Sequence, residues 1–320
     1  MGDYYRKMVA FKVKRIRMYT RLWKPKKAYL YFLQKYITFR YKSLSKKKAT
    51  RVLDREWDYL IVLDACRYDM FKIVVNKDSD FIISGGSVTQ EWLRWNFKDI
   101  YFDVVYIAGN PHLSNYNLSK TFGRNPFYKV IDVWDFGWDK DLKTVPPNRV
   151  TESTLEALKT YPNKRMIIHY NQPHHPFLGN KDLLKYDDGT WYKLDKSNWR
   201  NKKISIFEAA ESGIISIKTL WKGYIKNLKI VMNEVYKLVQ ELSGKIIITS
   251  DHGNHLGEYM IFGHISHLRT KELVKVPWFV IKDEVKKVQE KNDNFIKEDK
   301  VVEENLINEK INILIKKDLI

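Results

Sequence analysis

The run IITSDHGNHLGE, residues 247–258, ends an apolar, strand-like stretch with a carboxylate and an imidazole, Asp251 and His252. Burying these two groups without partners would be costly. Asp64 closes an earlier apolar run in VLDACRYD, and Thr89 follows two glycines in SGGSVTQEW. Two carboxylates, an imidazole and a hydroxyl are suitable ligands for one divalent ion, Mn²⁺ or Zn²⁺, with Ca²⁺ or Mg²⁺ as alternatives. This combination predicts a metal site.

Thr89 is the predicted nucleophile, because a metal beside it would lower the pKa of its hydroxyl. Ser87, in the same turn, is the alternative nucleophile. A further interpretation of Thr89 is a simple N-cap for the helix that follows. The two roles are compatible, since a helix N-terminus also favours an anion. Arg67 lies three residues after Asp64 and is a candidate clamp for a substrate oxyanion.

Apolar runs alternate with helical stretches from residue 57 onward, which indicates a mainly parallel sheet with helices on both faces. In such folds, ligands bind beyond the carboxyl ends of the strands. We therefore expect the residues that follow the strands to form the site. The predicted strands lie in 57–65, 80–86, 102–109, 128–134, 244–253 and 276–282 and at the start of 164–177, with helices at 150–161 and 205–242.

The positive charge is concentrated at the N-terminus. Residues 1–51 contain 17 Lys or Arg and one acidic residue, a net charge of +16, whereas the remainder carries only +3. Aromatic residues are interleaved with these bases, as in YYRKMVAFKVKRIRMYTRLW. Either a solvated helical arm or a surface that binds anionic membrane or another polyanion fits this pattern. No recognised nucleic-acid motif is present, so we expect no specific nucleic-acid partner.

We expect three segments: a basic aromatic helical arm at 1–51, an α/β catalytic domain at 52–283 and a charged helical tail at 284–320. The sequence contains neither an apolar run long enough for a membrane span nor a signal peptide. The single cysteine, Cys66, fits a reducing compartment. These features favour the cytoplasm, with a peripheral position at the inner membrane surface as an open alternative.

Taken in order, four motifs resemble the alkaline phosphatase superfamily, and within it the sulfatase-like branch of lipoteichoic acid synthases and phosphoethanolamine transferases. The motifs are Asp64 after the first strand, GGSVTQEW, QPHHPF, and TSDHGNHLGE followed by GH. LIVLDACRYD, NQPHHPF and VPWFVIK also resemble archaeal sulfatase-like proteins. The resemblance spans about residues 57–282 and implies an alkaline-phosphatase/sulfatase-like α/β fold.

The resemblance also implies roles for individual residues. Thr89 would attack the ester, while His174, two residues before Pro176, and His264 would contact the phosphoryl or sulfuryl oxygens. One of these histidines would protonate the leaving group. His169 lies within a strand and is expected to be a hydrogen-bonded core histidine. The implied metal ligands are Asp64, Thr89, Asp251 and His252.

Three departures from the family pattern affect the predicted type of ester, number of metal ions and location of the protein. Many sulfatases use an oxidised cysteine in a Cys-x-Pro-x-Arg motif, whereas Cys66 lies in ACRYD, which disfavours a conventional sulfatase. Many also begin with paired aspartates, but Ala65 follows Asp64, which favours one metal over two. The lipid-modifying relatives carry membrane spans that this sequence lacks, so an extracellular role is in doubt.

The sequence therefore predicts a metal-dependent hydrolase or transferase of phosphate esters, with sulfate esters less favoured. Water or the hydroxyl of a sugar or lipid would accept the group from Thr89, so a glycan-linked or lipid-linked substrate fits. The alternative is a non-catalytic scaffold whose basic arm, residues 1–51, binds membrane or another polyanion. Presence of every expected type of metal-site residue argues against that alternative.

Overall fold

A computed structural model of the chain describes residues 48–75, 79–186 and 204–281, together with positions 32, 35–37, 39, 304, 305, 307–309, 311 and 312. Most of the predicted arm, 1–51, and of the predicted tail, 284–320, lies outside the described residues. In the part of the chain that is described, no helix is both long enough and apolar enough to cross a membrane.

Seven strands form one sheet, and two short strands form a separate hairpin. The strands are β1 Tyr59–Leu63, β2 Asp80–Ile83, β3 Tyr101–Ala108, β4 Phe127–Ile131, β5 Arg165–Tyr170, β6 Ile246–Thr249, β7 His255–Leu256, β8 Phe262–Gly263 and β9 Lys275–Ile281. The order in the sheet is β2-β9-β6-β1-β5-β3-β4. Strands β6, β1, β5, β3 and β4 are parallel, whereas β9 is antiparallel to both β6 and β2. The predicted, mainly parallel sheet is thus confirmed.

The central strands consist of continuous apolar residues because both faces of the sheet are covered. Strand β1 reads YLIVL and is buried throughout, and β6 reads IIIT and is likewise buried. Leu60 of β1 is paired with Ile167 of β5 on one side and Ile247 of β6 on the other. The β-branched side chains among them favour extended backbone, and the isoleucine, valine and leucine side chains fill the two cores.

Helices cover both faces of the sheet, as predicted. They are α1 Tyr68–Val74, α2 Thr89–Asn96, α3 Asn115–Phe122, α4 Val133–Phe136, α5 Pro147–Thr160, α6 Lys181–Leu184, α7 Ile206–Glu211, α8 Ile217–Glu241 and α9 Lys271–Val274. Ile61 and Leu63 face the core that contains α8, whereas Leu60 and Val62 face the core that contains Trp92 of α2. The predicted helical region 205–242 therefore corresponds to α7 and α8.

Part of the C-terminal tail packs against α8. Ile307 is fully buried in the same core as α8, and Glu304 pairs with Lys218 and Lys222 on that helix. These contacts tie the described tail residues to the face of the sheet that α8 covers.

The turn after β1 has an unusual backbone that helix α8 stabilises. Ala65 has a φ of 61°, in the left-handed region that non-glycine residues seldom occupy. The Tyr224 hydroxyl donates to the Ala65 carbonyl at 2.7 Å and accepts from the Arg67 amide at 2.9 Å. Helix α8 therefore holds the segment that follows Asp64 in place.

Candidate metal centre and active site

The four predicted metal ligands meet at the carboxyl edge of the sheet. Asp64 follows β1, Asp251 and His252 follow β6, and Thr89 is the first residue of α2. All four are nearly or completely buried. Gly86 allows this approach, since a Cβ there would lie 2.3 Å from the backbone nitrogen of Trp92 in α2. The turn that carries Thr89 can therefore pack directly against its own helix.

Asp251 is fixed by hydrogen bonds to both of its oxygens. Its Oδ1 accepts from the backbone amides of Ala65 at 3.1 Å and His252 at 2.8 Å. Its Oδ2 accepts from the Thr89 hydroxyl at 2.7 Å. Val88, and not Thr89, is the N-cap of α2, and the Thr89 hydroxyl donates to Asp251 in the site, so Thr89 does not have the simple N-cap role.

The Nε2 lone pair of His252 faces the oxygens of Thr89, Asp251 and Asp64. Its Nδ1 lies 2.8 Å from the Gly253 carbonyl, which can only accept, so the proton is on Nδ1. Its Nε2 then lies 3.3 Å from Thr89 Oγ1, 3.4 Å from Asp251 Oδ2 and 3.7 Å from Asp64 Oδ1. The backbone carbonyl therefore sets the tautomer that a metal ligand requires.

Asp64 is oriented by Asn110, a residue that follows β3. Asn110 Nδ2 donates to Asp64 Oδ2 at 2.6 Å, while Asn110 Oδ1 accepts from the His112 amide at 2.9 Å. The second contact fixes which end of the amide faces Asp64. Asp64 Oδ1, which faces His252, is buried and has no hydrogen-bond partner among the described residues.

Burial and neighbouring groups shift the pKa values of the two carboxyl groups in opposite directions. Burial, and then the charge of Asp251, raises the pKa of Asp64 well above its usual value. Burial also tends to raise the pKa of Asp251, but His252, His169 and the hydrogen bond from Thr89 together lower it. The ligand oxygens of Asp64 and Asp251 lie within 4.8 Å of each other. Two buried carboxylates this close are not both ionised readily unless a cation lies between them.

The donor set fits a divalent metal. Zinc–ligand bonds of about 2.0–2.2 Å place tetrahedral ligand atoms about 3.3 Å apart. The facing atoms of Asp64, Thr89, Asp251 and His252 are separated by 2.7–3.7 Å in the four pairs measured above. The unpartnered Asp64 Oδ1 is the kind of buried atom that a cation would satisfy.

His169 of β5 lies beside this set, although the sequence favoured a core role for it. Its Nδ1 is 2.7 Å from the Tyr106 hydroxyl, as a hydrogen-bonded core histidine requires. Its Nε2 has no hydrogen-bond partner within the described residues and lies 3.9 Å from Asp251 Oδ2. Ligand atoms of His169, Asp64 and Asp251 all lie within 4.8 Å of one another. His169 is therefore also a candidate ligand.

His174 and His264, the predicted contacts of the phosphoryl or sulfuryl oxygens, lie next to the candidate metal ligands. The ring centroid of His264 is 4.5 Å from that of His252 and 5.2 Å from that of His174. His264 Nδ1 lies 3.3 Å from Asn254 Oδ1, and His174 Nδ1 lies 2.8 Å from the His175 carbonyl. Burial, and then the neighbouring imidazoles, lowers the pKa of His264 well below its usual value. His264 is therefore neutral at pH 7.

Arg67 lies in a different environment from the one predicted. Its guanidinium donates to both oxygens of Asp69 at 2.9 and 2.8 Å, to Glu258 at 2.6 Å and to the Asn254 carbonyl at 3.2 Å. It also lies 5.4 Å from the ring centroid of Trp221. This geometry does not support the predicted oxyanion clamp. Arg67 joins the turn after β1 to the loop after β6, so we assign it a positioning role.

Ser87, the alternative nucleophile, bonds to other groups. Its hydroxyl lies 2.9 Å from Glu91 Oε2 and 3.0 Å from the Ile265 carbonyl. Glu91 also accepts from the His267 amide at 2.8 Å. Ser87 therefore links α2 to the loop that carries His264, and the geometry favours Thr89 as the nucleophile.

Two supporting residues had no role in the sequence prediction. Asn110 follows the predicted strand 102–109, and Asn254 lies within the SDHGNHLGE run. A polar residue at the carboxyl end of a predicted parallel strand was the available signal for Asn110. The partner of Asn110 is 46 positions away and that of Asn254 is 10 positions away, so neither pairing follows from the local sequence.

Comparison with known proteins finds similar solved structures at low sequence identity. No protein-family model matches the chain. No curated protein matches it either. Similar solved structures include lipooligosaccharide phosphoethanolamine transferase A from Neisseria meningitidis. Its soluble domain is 13% identical, with 74% of this chain and 79% of that chain covered and a TM-score of 0.46. Its integral membrane form is 14% identical, with 91% and 60% covered and a TM-score of 0.48.

Two further structures are similar at the same level. The lipoteichoic acid synthase LtaP from Listeria monocytogenes is 13% identical, with 69% of this chain and 64% of that chain covered and a TM-score of 0.40. A protein of the alkaline phosphatase superfamily from Vibrio parahaemolyticus is 12% identical, with 70% and 50% covered and a TM-score of 0.33. Because these TM-scores are low, conclusions about function rest on the geometry of the site.

Proposed function

We propose that this protein is a metal-dependent enzyme that transfers or hydrolyses a phosphate ester, with Thr89 as the nucleophile. The observation that carries the proposal is the position of the Thr89 hydroxyl. It lies 2.7 Å from Asp251 Oδ2 and 3.3 Å from His252 Nε2, at the N-terminus of α2. A nucleophile next to a proton acceptor and to metal ligands is the arrangement that phosphoryl transfer through a covalent intermediate requires.

In the proposed mechanism, four residues would hold the metal: Asp64, Thr89, Asp251 and His252. A bound divalent ion would stabilise the Thr89 alkoxide and offset the two buried carboxylates. Asp251 Oδ2 accepts the Thr89 proton as the bond between Oγ1 and phosphorus forms. The bond between phosphorus and the leaving oxygen breaks, and that oxygen takes a proton from His174 or from water. The N-terminus of α2 favours the negative charge on the phosphoryl group.

We assign the second step to His264. Its ring centroid lies 4.5 Å from that of His252, and a neutral imidazole at this position is able to take a proton from the incoming hydroxyl. Asn254 Oδ1, 3.3 Å from Nδ1, would accept from the Nδ1 proton and leave Nε2 as the base. The acceptor is either water or the hydroxyl of a sugar or lipid. Its oxygen bonds to phosphorus as the bond between phosphorus and Thr89 Oγ1 breaks, and Thr89 Oγ1 takes back the proton held by Asp251. Water as the acceptor makes the protein a hydrolase, and a sugar or lipid hydroxyl makes it a transferase.

The charges around the site favour a monoanionic ester, and thus a phosphodiester over a phosphate monoester. Two carboxylates and one divalent ion together carry no net charge. The guanidinium of Arg67 is bound to acidic residues, and that of Arg269 donates to the carbonyls of Ser84 and Gly85. A dianionic monoester would gain no pairing from either arginine. Sulfate esters are also monoanionic but remain less favoured, since Cys66 is buried and lies outside a sulfatase motif.

The test is turnover of an aryl phosphodiester, an aryl phosphate monoester and an aryl sulfate with added Mn²⁺ or Zn²⁺. We expect the phosphodiester to be the best substrate. Thr89→Val should abolish turnover while preserving volume, and Thr89→Ser should retain part of it. Metal content, measured by mass spectrometry, gives a second readout. Metal bound without turnover in any condition, with no covalent phosphothreonine, would support the non-catalytic scaffold.

A further inference from the structure

A short helical stretch of the basic arm is attached beside the candidate active site. Positions 32, 35–37 and 39 are helical. Ile37 is only 4% exposed. Its buried neighbours come from the segment around His264, between β7 and β9. They are Ile261, Leu268, Leu273 and Val274.

The same helix exposes three large aromatic side chains. Phe32 is 68% exposed, Tyr36 63% and Phe39 80%. Their spacing of four and three residues places them on one face of a helix, about 130° around the axis from Ile37. One face of this helix is therefore attached to the protein, and another presents an aromatic stripe to the surroundings.

The charge of the arm complements an anionic surface. The stripe lies within residues 1–51, which carry a net charge of +16. Bases that flank exposed aromatic residues on a helix are typical of helices that lie in the interface of an anionic membrane. Because Ile37 packs in one cluster with residues of the segment that carries His264, the helix connects the stripe to that segment.

We propose that the aromatic stripe formed by Phe32, Tyr36 and Phe39 inserts into the interface of an anionic membrane. The surrounding Lys and Arg residues contact the phosphates of the lipid headgroups. The site then lies next to the membrane surface, where a headgroup or lipid-linked ester is accessible. This inference goes beyond the proposed function, because membrane binding requires no turnover. Phe32 and Phe39 expose apolar rings on one face of a helix beside basic residues, a pattern typical of helices in membrane interfaces, which favours a membrane over a nucleic acid.

The test is co-sedimentation of the full chain with vesicles of phosphatidylcholine mixed with phosphatidylglycerol, compared with phosphatidylcholine alone. The variant is Phe32→Ser/Tyr36→Ser/Phe39→Ser. We expect it to bind anionic vesicles about tenfold less strongly or worse, because binding strength scales with the apolar area inserted. Its thermal unfolding should match wild type, since all three side chains are exposed.

A matched control uses three equally exposed aromatic residues outside the arm. Phe102→Ser/Tyr116→Ser/Phe136→Ser replaces side chains that are 71%, 70% and 68% exposed. It should bind vesicles as wild type does. The proposal is overturned if the arm variant binds as wild type, or if the control loses as much affinity. Unchanged vesicle binding with weakened binding to a polynucleotide would also overturn it and would identify a nucleic-acid surface.

Discussion

Asn110 determines which oxygen of Asp64 faces the metal site. Its amide donates to Asp64 Oδ2, and its carbonyl oxygen is fixed by the His112 amide. Asp64 Oδ1 therefore faces His252 without a partner in the described part of the chain. A carboxylate that is oriented in advance loses less freedom when a metal binds.

We predict that Asn110→Ser weakens metal binding by about tenfold or more. Serine keeps an acceptor for the His112 amide but is too short to donate to Asp64. Calorimetric titration with Zn²⁺ or Mn²⁺ measures the affinity. The control is Ser114→Ala, which removes a neighbouring helix cap and should cost about 1 kcal/mol of stability without changing metal affinity. Equal affinities for Asn110→Ser and wild type would refute a positioning role.

His255 is a buried titratable residue outside the metal ligands. Its Nε2 lies 2.8 Å from the Thr270 hydroxyl, and burial, aided by Arg67, lowers its pKa to about 3. The unfolded chain binds a proton at His255 below about pH 6.5, whereas the folded protein does not. Folding stability contributed by this residue is therefore lost as the pH falls from 6.5 towards 3.

We predict that His255→Gln flattens the pH dependence of stability. Wild type should lose up to about 1.4 kcal/mol per pH unit through this residue below its unfolded pKa. Glutamine can bond to Thr270 and does not titrate. Urea unfolding at about pH 7 and about pH 5.5 provides the measurement. Parallel curves for variant and wild type would show that another group causes the acid sensitivity.

At the scale of elements, helix α8 holds the loop that carries His174. Asn227 Nδ2 lies within 3.1 Å of three backbone carbonyls of this loop, and Asn227 Oδ1 accepts from the Leu178 amide at 3.1 Å. The carbonyls are those of Pro173, His174 and Pro176. One buried amide side chain thus replaces the backbone pairing that the loop lacks.

We predict that Asn227→Ala lowers stability by about 1–3 kcal/mol, because buried loop groups lose their partner. The loop should also loosen around His174. Turnover should then fall, while the affinity for metal stays near that of wild type. Lys237→Ala, on the exposed face of the same helix, is the control. A parallel loss of metal affinity would show that α8 supports the whole site and not this loop alone.

The sequence predicted elements better than it predicted pairings. Apolar runs identified the strands, and the rule for parallel sheets correctly brought Asp64 and Asp251 together. The apolar pattern of VPWFVIK predicts a strand but contains no information on the direction of that strand relative to its neighbours. The antiparallel orientation of β9 was therefore not predictable. The partners of Arg67 include Glu258, 191 positions away, and such long-range pairing leaves no local pattern. The predicted clamp failed for that reason.

At the scale of the whole molecule, the net positive charge and the candidate active site lie in different parts of the chain. The candidate metal ligands lie within residues 52–320, which carry a net charge of +3, whereas the arm, residues 1–51, carries +16. Coulombic attraction to a membrane therefore comes mainly from the arm. It acts over about 10 Å at 0.1 M salt and about 3 Å at 1 M salt.

We predict that raising NaCl from about 0.1 to about 1 M lowers the affinity for anionic vesicles at least tenfold without abolishing binding. The remainder comes from the aromatic stripe, because insertion of apolar surface is not screened by salt. The variant lacking the three aromatic residues should therefore show no residual binding at high salt. Sedimentation across a salt series distinguishes the two contributions. If the binding of wild type to anionic vesicles did not change with salt, an electrostatic contribution of the arm would be excluded.

Because β9 is antiparallel to β6, the segment that joins them starts and ends at the same edge of the sheet. The chain leaves the sheet at Thr249 and returns beside it, where Thr249 pairs with Trp278. Residues 250–274 therefore form one loop with adjacent ends, and this loop carries Asp251, His252 and His264. If it detaches, all three are lost together, so the amides of the loop should exchange hydrogen for deuterium in one cooperative step that bound metal slows.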